Sequence, residues 1–139
     1  MATFNKFNSF VEALAEKVHN LGSDQLKAAL SSTLPVATNT VLANITQIAA
    51  VNGYPPGGIP LTTAESAQAG GVYKLTINDA TLMATGGAVG PFQYVVLYND
   101  TAANDELIGW YDYGVPLTIT SGNSFIIDFD SDNGVLTII

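Results

Sequence analysis

Twelve of the thirteen glycines lie at or after Gly53, and the only earlier one is Gly22. Glycine marks places where a chain turns. The distribution therefore divides the sequence into a short helical start and a long turn-rich remainder with strand signals. Tyr73, Leu75 and Ile77 share one strand face. Phe92 to Tyr98 is almost wholly apolar or aromatic, the pattern of a central strand buried on both faces. Leu107 to Tyr113 reads as another strand, carrying Trp110, and Leu117 and Ile119 mark a short one after Pro116. Phe125, Ile127 and Phe129 alternate with Ile126, Asp128 and Asp130. Asn133-Gly134 supplies the positive-φ residues of a tight hairpin turn, from which Val135 to Ile139 returns as the last strand. Residues 52–60 read as a loop, because three prolines and three glycines cannot hold a ladder. The fold expected is mainly β with an N-terminal helix: an antiparallel β-sandwich, jelly-roll- or immunoglobulin-like.

The opening segment has a different period. Ser9 precedes Glu12 by the spacing of a capping box. Phe10, Val11, Leu14, Val18 and Leu21 recur at helical intervals. A helix is expected from Phe10 to Asn20, closed by Gly22 as a left-handed cap. His19 falls near its end, where a protonated imidazole favours the helix dipole. Residues 1–8 either extend the helix or form an arm that presents Phe4 and Phe7. Residues 24–32 fit both periods, and a strand is expected there. The whole chain, 1–139, reads as one domain: 1–8 as arm, 9–22 as capped helix, 23–139 as sandwich.

Charge is as uneven as glycine. Twelve acidic residues against four lysines and no arginine give a formal net charge of −8. Residues 75–139 hold eight of the acids and no base. Nucleic-acid binding needs Lys and Arg to displace counterions from phosphates, so DNA and RNA are excluded as partners. Anionic membranes are excluded by the same argument. No apolar run approaches the ~20 residues of a membrane helix, and the first residues lack the pattern of a signal peptide. Without cysteine there is no disulfide, thiolate ligand or thiol nucleophile. Residues 28–64 contain no charged residue. That stretch is either buried, crossing structure or a face turned to another protein chain.

Candidate chemistry is sparse. Asp128, Asp130 and Asp132 could offer alternating carboxylates to calcium. An EF-hand loop needs Gly at its sixth position and Glu at its twelfth, where this stretch has Asn133 and Ile139. The aspartates are read instead as the solvent face of a hairpin. Asp105, Glu106, Asp112 and Asp128 could pair as in a glycosidase, but nothing in their spacing fixes them. Gly86-Gly87-Ala88-Val89-Gly90 lacks the Lys and Ser/Thr of a phosphate loop. No catalytic, cofactor or metal residue emerges. Trp110-Tyr111-Asp112-Tyr113, with Tyr94 and Tyr98, is either core or a partner surface, since aromatics anchor interfaces. Joined with the arm, the candidate partner interface is Phe4, Phe7, Trp110, Tyr111 and Tyr113.

Several segments together carry a resemblance. They are Phe10-Val11-Glu12 through His19-Asn20-Leu21-Gly22, Leu26-Lys27, Ile48-Ala49-Ala50 with Asn52-Gly53-Tyr54, and Gly90-Pro91-Phe92. Further on are Val96-Leu97-Tyr98-Asn99-Asp100-Thr101, Leu107-Ile108-Gly109-Trp110-Tyr111-Asp112-Tyr113-Gly114, and Asp128-Phe129-Asp130 with Asn133-Gly134. Over most of its length the chain resembles a family of small tailed-bacteriophage virion proteins. The resemblance implies a strand at Leu26 to Ser32 and a non-enzymatic structural role. It points to a decoration or cement protein on the capsid exterior. The implied partners are the major capsid protein and further copies of the chain, as trimer or dimer, after synthesis in the host cytoplasm. It brings no catalytic residue, cofactor or metal. The alternatives are a tail or fibre component that binds host glycans through Trp110, Tyr111 and Tyr113, and a small carboxylate hydrolase.

Overall fold

The computed structural model describes residues 2–139. In chain order the strands are β1 (Asn5–Lys6), β2 (Leu26–Ser31), β3 (Ile59–Pro60), β4 (Thr63–Ala69), β5 (Val72–Ile77), β6 (Ala80–Met83), β7 (Val89–Asn99), β8 (Leu107–Ile119), β9 (Ser124–Ile127) and β10 (Leu136–Ile138). A short helix, α1 (Ser9–Ala15), follows β1. All strand pairings are antiparallel. The main sheet runs β1-β8-β7-β2-β3, a second runs β10-β5-β4, and β6 pairs with β9. The architecture is mainly β, with antiparallel sheets packed as in a sandwich.

Alternation builds the packing. Along β2 and β7, Leu26, Ala28, Leu30, Val95 and Leu97 point inward. There they meet Leu75 and Ile77 of β5, Leu82 of β6 and Ile127 of β9 in one buried cluster. The intervening Ala29, Val96 and Tyr98 point outward and are buried with Phe7 and Leu107 in a second cluster. The main sheet is thus covered on both faces, which is why Phe92 to Tyr98 carries so few polar residues. Each fully buried Leu or Phe contributes about 1.5–3 kcal/mol over an exposed one. The β4–β5 hairpin follows from Gly70-Gly71, whose φ values of 58° and 85° suit the two-residue turn between Ala69 and Val72.

The uncharged stretch supplies the outer cover. After β2, residues 32–47 cross the outer face, where Leu42 and Ile45 pack on the second cluster, and the chain then returns to the first, which Ile48 and Tyr54 join. The Leu42 N–H donates to the Asp105 carbonyl, and the Leu107 N–H to that of Thr40, each at 3.0 Å. Ser31 Oγ donates to the Thr46 carbonyl at 2.6 Å. Leu34, Val36 and Val51 remain exposed.

Five expectations are corrected. The loop expected over 52–60 ends before Ile59, since Ile59 and Pro60 pair with Ala28 and Lys27 as β3 at the edge of the main sheet. The helix ends at Ala15, because Lys17 adopts φ 69° and leaves the helical region. Asn8 makes no side-chain cap bond, and Gly22 lies beyond the helix rather than closing it. Of the expected arm, residues 1–8, Met1 lies outside the described residues and the rest is not an arm: Asn5 and Lys6 pair with Trp110 and Gly109, and Phe7 is fully buried. Asn133-Gly134 does turn, with Gly134 at φ 79°, but not between hairpin partners. β9 pairs with β6, and β10 with β5, because both choices bury an apolar face in the inner cluster. Finally, Leu117 and Ile119 belong to β8, which continues past Pro116.

Candidate interaction surface

Phe4, Phe7, Trp110, Tyr111 and Tyr113 do not form a single surface. Successive residues of a strand face opposite ways, so β8 divides them. Trp110 turns outward onto Phe7, with ring centroids 4.7 Å apart. Tyr111 turns inward, 5.7 Å from Phe4 and 6.2 Å from Phe129. Tyr113 is 51% exposed and lies 6.0 Å from Phe125, which in turn stacks edge-on to Phe92 at 5.1 Å. Phe7 therefore serves the core, as do Tyr94 and Tyr98, while Trp110 is half-buried. Phe4, Tyr111 and Tyr113 remain at a surface. Gly109 makes the arrangement possible, since a Cβ there would collide with the Phe4 ring.

A bulge raises part of β8. Phe92 pairs with Leu117, and Tyr94 with Asp112. Two steps along β7 thus match five along β8, so the four residues Tyr113 to Pro116 oppose Gln93 alone and stand out from the sheet. The Asp112 carboxylate holds its base, accepting from the Gly114 N–H at 2.8 Å and from Gln93 at 3.0 Å. Tyr113 and Val115 are more than half exposed on it.

Beside the bulge lies a cleft of about 520 Å³, at the mouth between the main sheet and β9. Phe4, Val95, Tyr111 and Tyr113 form one side; residues 125–130 form the other. Burial first, and the Asp130 carboxylate second, push the Tyr111 hydroxyl up to about 12, so it is neutral at physiological pH. Asp130 is held below the usual carboxylate range, chiefly by the Asn133 backbone N–H and side-chain amide. Its oxygens also accept from the Asp132 N–H. That carboxylate shapes its own loop, which is the structural reading of the Asp128–Gly134 segment. Among the described residues, no group of three or more His, Asp or Glu is placed to hold a metal ion.

His19 is elsewhere and has another role than the one expected. The helix has ended before it, and the ring is buried. The Asn99 side-chain amide donates to Nδ1 at 3.0 Å and to Asp24 at 2.6 Å. Nε2 then carries the proton and has no protein partner. Desolvation lowers the pKa below 6.5, against the pull of Glu106 and Asp24. The imidazole is neutral, so it does not complement a helix dipole. Asn99 is fully buried.

Sequence reasoning did not assign Phe125, Ile126 and Phe129 to a surface, while Asp128, expected on a solvent face, is exposed. The expected alternation holds at Ile126, Ile127, Asp128 and Phe129, with Ile127 and Phe129 buried and Ile126 exposed. No protein-family model, curated protein or solved structure matches the chain.

Proposed function

We propose that the chain is a non-enzymatic virion structural protein. It decorates and stabilises the outside of a phage capsid by binding the major capsid protein. It is made in the host cytoplasm and acts as a trimer or dimer of small jelly-roll- or immunoglobulin-like sandwiches. The observation that carries this reading is the bulge from Tyr113 to Pro116, an apolar prominence held in place by Asp112, on which Val115 and, beside its contact with Phe125, Tyr113 stay more than half exposed. Exposed apolar groups grouped in this way mark interaction sites. The segment over residues 32–58, with Leu34, Val36 and Val51 exposed, adds a second uncharged strip. A protein that binds the assembled shell and not its free subunits stabilises the shell by mass action. That task needs shape and apolar anchors rather than a reactive group. The acidic second half would keep a crowded particle soluble through like-charge repulsion.

The aromatic cleft favours a second reading, a tail or fibre component that binds host glycans, since Tyr111 and Tyr113 beside Asp128 are groups that can hold a sugar ring. Purified protein mixed with phage heads lacking it, then imaged by cryo-electron microscopy, separates the two. Regular density on the shell is the expected result. Bare heads, or density on the tail alone, would replace the first reading with the second.

A further inference from the structure

We propose that the cleft between β8 and β9 receives an extended segment of a partner protein that carries lysine or arginine next to apolar side chains. Its volume, about 520 Å³, lies within the roughly 300–1,000 Å³ range of clefts that hold ligands. Its borders describe the shape of the occupant. Residues 125–130 line it consecutively. A strand shows only alternate residues to a face, so the presence of Phe125, Ile126 and Ile127 together means that the edge of β9 borders the cleft, a border that the irregular residues 128–130 extend. β9 is paired with β6 along its other edge only. Across the gap, β1 covers β8 only at Gly109 and Trp110. Two strand edges that have no strand partner on that side, β9 over Ser124–Ile127 and β8 beyond Trp110, therefore flank an aromatic floor, the setting in which an added strand binds. Phe4, Tyr111, Tyr113 and Phe125 offer pockets to its alternate side chains.

Charge selects the partner. Asp128 and Asp130 line the cleft, and no basic residue lines it. A second copy of this chain is a poor match. Residues 75–139 contain no base, Lys27 is paired with Asp100 at 3.2 Å, and Lys74 donates to the Asp132 carbonyl; Lys6 sits in β1, already paired with β8, and Lys17, at φ 69°, is not in an extended segment. A basic, apolar strand from a different protein complements both the rim and the floor. This inference names the binding face and the chemistry it takes, and does not require the partner to be a capsid protein.

The test uses the whole protein, isotope-labelled for NMR, titrated with three probes: a short peptide alternating lysine and valine, its glutamate–valine counterpart, and a neutral oligosaccharide. The lysine peptide should shift the amides of residues 125–130 and Tyr111, and the glutamate peptide should not. Asp128→Lys and Tyr113→Ser, both at exposed positions, should each weaken the lysine peptide about tenfold. Added salt should weaken it further. Equal response to both peptides, shifts confined to another face, response to the oligosaccharide alone, or no response at millimolar peptide would each overturn the proposal. So would cleft shifts that track protein concentration alone, which would make the occupant a second copy. Peptide binding combined with bare phage heads would keep the cleft and end the capsid reading. Decorated heads with a silent cleft would do the reverse.

Discussion

The side-chain amide of Asn99 lies 3.0 Å from Nδ1 of His19, and both residues are buried. This contact fixes a neutral imidazole at the junction of the α1–β2 connection and the end of β7. The folded-state pKa of His19 lies below 6.5, so the unfolded chain binds the proton more tightly. The stabilisation is complete above 6.5 and is lost as pH falls through the lowered value. The urea midpoint should drop between about pH 7.5 and about pH 5. In His19→Gln that drop should shrink, and an undiminished slope would show that other groups set the acid limit.

Gly109 lies under the Phe4 ring, and a methyl group there has no room. Gly109→Ala should lose about 1–3 kcal/mol, the usual result of overpacking. Gly22→Ala is the control. A Cβ there meets only Asn20 and Ser66 side-chain oxygens, at 3.4 and 3.5 Å, and the backbone is not left-handed. Denaturant midpoints that move equally in the two variants would contradict the packing argument.

Phe7 is fully buried against Trp110 and Tyr98 on the outer face of the main sheet. Phe7→Ala should cost about 3–5 kcal/mol. Deleting residues 1–8 removes β1 as well and should cost more, giving a chain with lost near-ultraviolet dichroism. A truncated protein with the full melting temperature would restore the view of this segment as a detachable arm.

Three tyrosines resist ionisation. Burial raises the hydroxyls of Tyr54, Tyr98 and Tyr111 above the ordinary value of 10.0. Their protonated forms stabilise the fold fully below pH 10, and that contribution disappears as pH rises above it. Titration at 295 nm should show these groups ionising together with unfolding, at a pH above that of the denatured chain. Phenolate formation for all tyrosines near pH 10 with the fold intact would refute this.

Local chemistry was legible where it acts locally. Phe92 to Tyr98 announces a strand because burial on both faces leaves it almost no polar residue; Leu26 to Ser31, which fits both periods, is fixed as a strand by its pairing with β7. The helix end was not legible. Val18 and Leu21 keep the helical interval, and periodicity does not register that Lys17 has turned the chain aside. Asn133-Gly134 declared a turn correctly, but partner choice depends on which apolar faces meet in the inner cluster, a long-range matter. Pro116 looked like a strand boundary. The bulge at Tyr113 to Pro116 accommodates it, since an edge position needs no ladder N–H. Phe7 could not be told from an arm residue, because its partner Trp110 is remote in sequence. The cleft was hidden for the same reason: its two sides come from β8 and the β9 segment, and neither alone is concave.

Asn5 pairs with Trp110, 105 residues further on, and Leu26 pairs with Asn99. These spans have a consequence for the order of events at the ribosome. Domains emerge at about 5–20 residues per second, so β1 and β2 wait several seconds for the strands they need. Until then Phe7 and Leu30 stand in water. The β4–β5 hairpin, closed by Gly70-Gly71, and the consecutive pair β7–β8 can each form as they emerge. Non-local pairing also slows folding towards milliseconds to seconds. The nascent chain is therefore most vulnerable to mispairing just before β8 appears, and the same aromatic residues that later seal the outer face are the ones exposed in that interval.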